Sequence, residues 1–321
     1  MHQRLPTQLM SWTLAVLCWL AASYCNAEDL TSTATNSDVV GIAINEDMLQ
    51  DYELFVANRD LASIQHYSGK GSRRDVIDLV LLRQALILGG FSHPIELQPG
   101  KSYSRTTRDI VDGAYVTSAN QVWLDDIAMH SNDLYISQPL VKSGEFLVGV
   151  YTTKQNTKAL AARNLEQITE LRAVTSSQWT ADVRSLKQLG FKQILYSPNW
   201  LNMVRMINAG RADITLAPFQ QTSEMVIEVN GVELVPIEGV KVSIAGTRHW
   251  GISRKHPFGK SFYEALERGM AQLQERGTIQ RAYRECGFYH PEIANWTLLA
   301  PPASAVPVMA TSATTSSKAT E

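Results

Sequence analysis

Short β-branched runs alternate with helical segments in the first half of the chain. Val39–Ile44 is such a run between polar residues, which predicts a strand. Asp75–Leu88 is apolar nearly all round, has an acidic first turn and stops at a glycine pair, which predicts a buried helix. The same pattern predicts strands at Pro94–Gln98, Ala114–Ser118 and Phe146–Tyr151 and a short helix at Thr106–Asp112.

The same alternation restarts after Tyr151. It predicts helices at Thr180–Leu189 and Asn199–Ala209, each followed by a glycine stop. Because strand–helix units stand on both sides of Tyr151, the pattern favours two α/β lobes. Further predicted elements are strands at Leu171–Thr175, Gln193–Tyr196, Asp213–Leu216 and Val232–Pro236, and closing helices at Gly259–Arg276 and Thr278–Cys286, with Cys286 as a small core residue.

The two ends of the chain are atypical. Arg4 followed by the apolar run Leu9–Ala22 predicts a signal peptide over residues 1–27, with an uncleaved anchor as the alternative. Residues 28–37 are predicted to be a flexible lead-in, and residues 297–321 a disordered tail rich in Ala, Ser and Thr. Cleavage would leave Cys286 as the single cysteine of an exported, periplasmic protein, without an internal disulfide.

The composition of the chain excludes several functions. With 321 residues, 45% hydrophobic, 19% charged and a net charge of -2, it has no basic footprint for nucleic acid. The sequence contains no Gly-x-Ser-x-Gly elbow, no full Gly-x-x-x-x-Gly-Lys-Ser/Thr phosphate-binding loop and no His-Glu-x-x-His motif. Its seven histidines are dispersed, so no metal or cofactor is predicted. Asp125, Asp126 and Glu224 are candidate acids, but their spacing singles none of them out.

Four segments resemble, in order and spacing, the extracellular solute-binding proteins of family 3. They are Ala209–Thr215, His249–Pro257, Leu273–Phe288, and Tyr135–Leu140 followed by Phe146–Val150. The resemblance spans Asp38–Phe288. It implies an α/β, two-lobed type II periplasmic-binding fold with two crossings between the lobes and a ligand in the interlobe cleft.

The lobe boundaries follow from that resemblance. Lobe 1 is predicted over residues 38–150 and 245–296, and lobe 2 over residues 151–244. The crossings near Val148–Tyr151 and Val240–Ala245 are the expected hinges for closure around a ligand.

Three departures from the family pattern concern ligand anchors. Amino-acid binders of the family have an Arg nine residues before the hinge-proximal proline, where this chain has His130. They have an Asp five residues after the second-lobe Asp, where this chain has Pro218. Their carboxylate-binding Gly-Thr is replaced near Gln178–Trp179. The cleft is thus expected to lack these charged anchors, which disfavours a standard α-amino acid as ligand.

The remaining candidate ligand-binding residues are polar or aromatic and follow strands that open on the cleft. For Trp123 and Trp179 the alternative to ligand binding is ordinary packing. For His130 the alternative is a place in a surface loop, and for Thr180 it is a helix cap. The basic loop Gly69–Arg74 is interpreted as solvated rather than as an anion cradle. The predicted site consists of Thr117, Ser118, Asn120, Trp123 and His130 in lobe 1 and Ser177, Trp179, Thr180, Phe219 and Gln220 in lobe 2.

These features together predict a monomeric, non-enzymatic periplasmic protein that captures a small polar molecule. It would deliver this ligand to an ABC transporter permease or report it to a membrane sensor. Two alternatives remain open: a dehydratase-like enzyme, favoured by paired buried carboxylates in the cleft, and a non-binding receptor, favoured by a cleft filled with its own side chains. An open aromatic cleft would favour solute binding.

Overall fold

The computed structural model describes residues 38–301 of the chain. The strands are β1 (Val40–Ile44), β2 (Ile95–Pro99), β3 (Thr117–Ser118), β4 (Val122–Trp123), β5 (Leu134–Ile136), β6 (Leu147–Thr153), β7 (Arg172–Thr175), β8 (Gln193–Tyr196), β9 (Thr215–Pro218), β10 (Ile227–Val229), β11 (Val232–Ser243), β12 (Arg248–His249), β13 (Gly251–Ser253) and β14 (Thr297–Leu299). The helices are α1 (Glu46–Val56), α2 (Arg74–Leu88), α3 (Tyr103–Val111), α4 (Leu124–Ile127), α5 (Thr157–Leu160), α6 (Leu165–Thr169), α7 (Thr180–Leu189), α8 (Trp200–Asn208), α9 (Gly259–Glu275) and α10 (Thr278–Glu285).

The first sheet lies within the residues predicted to form lobe 1 and has the order β2-β1-β3. Its strands are parallel, with Val40 opposite Ile95 and Ile42 opposite Thr117. Every residue of the central strand β1 is buried, as expected for a parallel strand covered on both faces. The predicted helix Asp75–Leu88 is confirmed as α2, and most of its residues are buried in the same core.

The second sheet has the order β10-β11-β6-β9, with β14 paired to β11. The antiparallel strands β6 and β11 run through the predicted crossings, and their register shifts between Pro236 and Lys241. The parallel pair β7–β8 completes the strands of lobe 2, with a bridge from Ala173 to Ile214 beside β9. Units of a parallel strand followed by a helix therefore occur in both lobes.

Helices α2 and α9 come unusually close because each contributes a glycine at their contact. A Cβ atom added to Gly89 would lie 1.9 Å from the Ala265 carbonyl oxygen, and one added to Gly269 would lie 1.8 Å from that of Ala85. Cys286 follows α10 and is fully buried, which confirms its predicted place in the core. From Val40 onward, the described residues belong to one compact unit.

Two sequence predictions need correction, and helix α1 was not predicted. Strand β14 shows that the predicted tail is paired in a sheet at Thr297–Leu299, because its backbone adds to the edge of β11. Strand β11 runs through Ser243 rather than ending at Pro236, since pairing with β6 resumes after the register shift. Helix α1 was missed because only Met48, Tyr52 and Phe55 mark its buried face.

The predicted signal peptide, the lead-in and residues 302–321 of the predicted tail lie outside the described residues. No helix in residues 38–301 has the length and apolar character needed to cross a membrane.

Candidate functional site

Helix α7 of lobe 2 begins against helix α4 of lobe 1. The Thr180 hydroxyl donates to Asp126 Oδ1 at 2.6 Å, and Arg184 Nη1 lies 2.7 Å from Asp125 Oδ2. The Tyr103 hydroxyl donates to the other oxygen of Asp126 at 2.7 Å. Side chains of the two lobes thus contact each other directly where the resemblance places a ligand cleft.

Two further contacts join the lobes away from α4. The Gln221 side-chain amide accepts from the Gly69 N–H at 2.9 Å and donates to the Gly69 carbonyl at 2.7 Å. The Gln178 side-chain oxygen accepts from the backbone N–H of Ser104 at 3.3 Å. All of these contacts connect residues of the first lobe 1 segment with lobe 2.

We call the region where α4 meets the start of α7 the junction. Arg248 lies in its interior. Its side chain stacks on two aromatic rings, with the guanidinium carbon 4.7 Å from the Trp123 ring centre and 5.3 Å from that of Phe146. One Nη atom donates to the backbone carbonyl of Gln121, whereas the buried Nε has no hydrogen-bond partner. Strand pairing of β12 with β4 sets this position, because Arg248 is the register partner of Trp123.

Arg74, at the start of α2, is the second cation of the junction. It pairs with buried Asp78 at 2.6 Å, and the Tyr283 hydroxyl donates to the other Asp78 oxygen at 2.7 Å. The Gln121 amide donates to Tyr283 at 3.3 Å, which links this chain of polar groups to Arg248. Burial raises the pKa of the Asp78 carboxyl despite the opposing effect of Arg74.

Arg248 has no ion-pair partner within residues 38–301, although it is only 6% exposed. Burial, followed by repulsion from Arg74, lowers the pKa of its guanidinium to about 10. A buried cation without a counter-ion is costly, and a planar guanidinium is suited to bidentate pairing with carboxylate or phosphate. The Arg74 Nε is also buried and unpartnered. The junction therefore contains two guanidinium groups whose buried Nε donors have no partner in residues 38–301.

Asp182, on the first turn of α7, faces the two arginines from lobe 2. Its side chain is partly accessible to solvent, yet its removal from bulk water raises the pKa to about 6. Arg248 and Arg74 oppose this increase, whereas nearby Asp126 adds to it. A carboxyl group that titrates near neutral pH thus lies across the junction from an unpaired cation.

The ligand-binding residues predicted in lobe 1 fall into two groups: some lie at the junction, and others stabilise the lobe itself. Trp123 belongs to the junction. Thr117 is fully buried and its hydroxyl donates to the Gly251 carbonyl at 2.9 Å. The Ser118 hydroxyl donates to the Asn120 carbonyl at 2.8 Å, beside a cavity of about 10 Å³ that holds at most one water. These hydroxyls stabilise the loop after β3 rather than point to a ligand-sized space.

His130 does not lie among the described residues that meet at the junction. It ends a 3₁₀ turn, and its carbonyl accepts from the N–H of Asp133 at 2.9 Å. The chain has His130 at the position of the family's anchoring Arg, so the absence of that particular anchor stays a prediction. Arg248 and Arg74 supply guanidinium groups from other elements, which a count of spacings from Pro139 does not reach.

The ligand-binding residues predicted in lobe 2 also fall into two groups, at the junction and away from it. Thr180 reaches the junction, but it is not a helix cap, because Trp179 occupies the N-cap position without a side-chain bond. Trp179 packs on the lobe 2 core beside Val174. Ser177 is exposed and borders, with Thr180, a shallow depression of about 350 Å³ on the surface of α7.

Phe219 and Gln220 are structural rather than part of the junction. The Phe219 ring is buried and meets Trp296 edge to face, with ring centres 5.5 Å apart. The Gln220 amide donates to the Pro218 carbonyl at 3.0 Å. Both residues help to hold the segment after β9 beside the crossing strands.

Sequence reasoning missed Arg74, Arg248 and Asp182. The basic loop Gly69–Arg74 did carry a signal for the first, but the solvated interpretation is wrong for its arginines. Arg74 is 10% exposed and paired with Asp78, and Arg73 pairs with Asp75 at 2.5 Å. Arg248 and Asp182 carried no local signal, since only tertiary contacts bring them together. The described residues contain no group of His, Cys, Asp and Glu side chains that could hold a metal ion.

Solved structures similar to this chain include proteins that bind amino acids. An amino acid ABC transporter substrate-binding protein from Streptococcus pneumoniae, bound to L-arginine, matches with a TM-score of 0.51 and 12% identity, over 78% of this chain and 95% of its own. The periplasmic VFT2 domain of BvgS from Bordetella pertussis matches with a TM-score of 0.51 and 12% identity, over 78% and 94%.

A third similar structure is an ancestral amino acid-binding protein described as a precursor of cyclohexadienyl dehydratase. It matches with a TM-score of 0.51 and 13% identity, over 78% of this chain and 96% of its own. No protein-family model matches the sequence, and no curated protein matches it either. At such identities the likeness is one of fold, and it confirms the predicted two-lobed α/β architecture.

Proposed function

We propose that this chain, which has the two-lobed type II periplasmic-binding fold, is an exported protein that captures a small polar molecule between its lobes. The observation that carries the proposal is Arg248, a buried cation without an ion-pair partner in residues 38–301. A cation in this condition is stabilised by an anion that enters the junction. The captured molecule is therefore expected to carry a carboxylate or phosphate group.

The chemistry of the junction supports this ligand class. The Nε atoms of Arg248 and Arg74 are donors without partners, and the stacked Trp123 limits the orientation of the Arg248 guanidinium. Pro218 stands where amino-acid binders have their ammonium-binding acid, so a standard α-amino acid remains disfavoured. An anionic molecule without an α-ammonium group fits these residues best.

Delivery of the ligand to a membrane partner completes the proposed role. The Streptococcus pneumoniae protein described above is a component of an amino acid ABC transporter. By analogy of fold, this chain would act as a monomer that presents its ligand either to an ABC transporter permease or to a membrane sensor.

Two observations favour other functions. The Asp182 pKa near 6 suits a general acid, and with Asp126 nearby it supports a dehydratase-like enzyme on the same fold. The direct contacts from Thr180 to Asp126 and from Gln221 to Gly69 support a receptor that binds no solute and acts through protein contacts. The non-binding receptor leaves the unpaired Arg248 unexplained, which is why binding of a small molecule is preferred to it. An enzyme would hold an anionic substrate at the same arginine, so turnover separates it from a binding protein.

A thermal-unfolding screen tests the proposal. The purified protein is heated with organic acids, organic phosphates, sugars, polyamines and amino acids. A ligand at 100 times its dissociation constant adds about 2.7 kcal/mol to the free energy of unfolding. We expect stabilisation by an anionic compound and loss of that stabilisation in Arg248→Met.

The control variant is Lys192→Met, which breaks an exposed ion pair to Glu170 within lobe 2. It should respond to the anion like the wild type. Stabilisation only by neutral or cationic compounds, or an unchanged response in Arg248→Met, would contradict an anion site at Arg248. Turnover of a stabilising compound would favour the enzyme, and no response to any class would favour the non-binding receptor.

A further inference from the structure

We propose that an interlobe carboxylate clamp holds the two lobes together before any solute binds. The clamp consists of Asp125 and Asp126 of lobe 1 with Thr180 and Arg184 of lobe 2. It concerns the resting state of the two-lobed fold, and it does not depend on whether the proposed anion is the ligand.

The two halves of the clamp match in spacing. Thr180 and Arg184 are four residues apart on α7 and therefore lie on the same helix face, one turn from each other. Their partners, Asp125 and Asp126, are adjacent in α4. These two residues of α7 thus each have their own carboxylate on lobe 1, at 2.6 Å for the Thr180 hydroxyl and 2.7 Å for the Arg184 guanidinium.

Asp126 is held in place from its own lobe. Its second oxygen accepts from the Tyr103 hydroxyl at 2.7 Å, so its carboxylate is oriented toward α7. The negative charge also lies beside the first residue of a helix whose N-cap, Trp179, makes no side-chain bond. Charge of this sign is favourable at a helix N-terminus. The clamp therefore gains from both a hydrogen bond and the helix dipole.

A second contact supports the same arrangement from another part of the chain. The Gln221 side-chain amide pairs with both the N–H and the carbonyl of Gly69, 152 positions apart in sequence. A side-chain amide bonded on both of its sides has one orientation, so this contact fixes the segment after β9 against the loop before α2. The two contacts use different residues of each lobe and can be broken separately.

The consequence is a ligand-free protein whose lobes are already in contact. A solute then enters only when the clamp opens, so the opening equilibrium limits its apparent affinity. This differs from a receptor in which ligand contacts alone bring the lobes together.

The experiment compares the ligand-free wild type with Thr180→Val/Arg184→Met by small-angle X-ray scattering and hydrogen exchange. These substitutions remove the lobe 2 half of the clamp and leave lobe 1 unchanged. We expect a larger radius of gyration and about tenfold faster amide exchange in the first turn of α7, because two contacts of ordinary strength are lost.

The matched control is Thr169→Val/Lys154→Met. It removes a hydroxyl bond to Glu166 and an ion pair to Glu233, both within lobe 2. Its scattering should equal that of the wild type. If the double variant does not fold, Arg184→Met alone should show the same direction of change.

Two results would overturn the clamp. One is a wild-type protein whose ligand-free scattering already corresponds to separated lobes. The other is a folded clamp variant with the scattering and exchange of the wild type. Neither result overturns the anion site at Arg248, because no solute is present and Arg248 is unchanged. Either result would remove the support that these contacts give to the non-binding receptor.

Discussion

Arg248 and Trp123 are register partners across the β12–β4 pair, and the guanidinium carbon lies 4.7 Å from the centre of the indole ring. The stacking keeps a cation in the interior of the junction, where no carboxylate of residues 38–301 pairs with it. Arg74 lies in the same interior but is paired with Asp78. This difference between two buried arginines leads to the first prediction.

Replacing each arginine with methionine should have opposite effects on stability. Arg248→Met removes an unpaired buried charge, so the free energy of unfolding should stay equal or rise by up to about 2 kcal/mol. Arg74→Met leaves Asp78 buried and uncompensated, so stability should fall by about 3 kcal/mol or more. Urea unfolding at neutral pH measures both. A large loss in Arg248→Met would mean that this arginine is structural.

Asp182→Asn should stabilise the protein at neutral pH. The folded pKa is raised to about 6 from 3.8, so the folded state binds the proton more tightly than the unfolded state. Stability from Asp182 is therefore present at low pH and is lost as pH rises through 6. We expect a gain of about 1–2 kcal/mol at pH 7, allowing for solvent access. The gain should disappear below about pH 4, and unfolding curves across this range measure it.

Asp213→Asn should show the opposite pH dependence. Hydrogen bonds from Arg172 lower the Asp213 pKa, with contacts of 2.9 Å to Nε and 2.8 Å to Nη2. Because the pKa of Asp213 is lower in the folded state, its carboxylate stabilises the fold at pH values above the pKa of the unfolded state. This stability is lost as the pH falls. The variant should lose about 1–2 kcal/mol at pH 7 and converge with the wild type in acid. Equal losses at all pH values would contradict the ionic contribution.

Gly269→Ala should destabilise the core strongly. The added Cβ would lie 1.8 Å from the Ala85 carbonyl oxygen, so α2 and α9 must separate. We expect a loss of about 2–3 kcal/mol in thermal unfolding. The control is Gly190→Ala, where φ is +87° and nothing lies within 4 Å of the new atom. This control should lose only about 1 kcal/mol, from backbone strain alone.

Much of the fold was predictable because its signals are local. The bounds of α7 and β8 agree with the predictions from the chain, since Gly190 ends the helix in the left-handed region. The Asn199 side chain caps α8 through the N–H of Asn202. Periodicity, caps and glycine stops act within a few residues, so one sequence contains them.

The ends of the sheet were harder to predict. Strand β14 is only three residues long, and it is a strand only because β11 offers an edge. The long β11 likewise depends on β6, with which pairing resumes after an irregular segment. Sheet pairing is a contact between distant segments, and local pattern determines it weakly.

The sequence by itself determined the two-lobed α/β architecture. It also placed Trp123 and Thr180 in the candidate site. Only the tertiary structure decided the charge of that site, because Arg248 meets Gln121 across 127 positions and Thr180 meets Asp126 across 54. Whether an arginine is solvated or buried depends on which side chains surround it, and strand register and lobe contact set those surroundings.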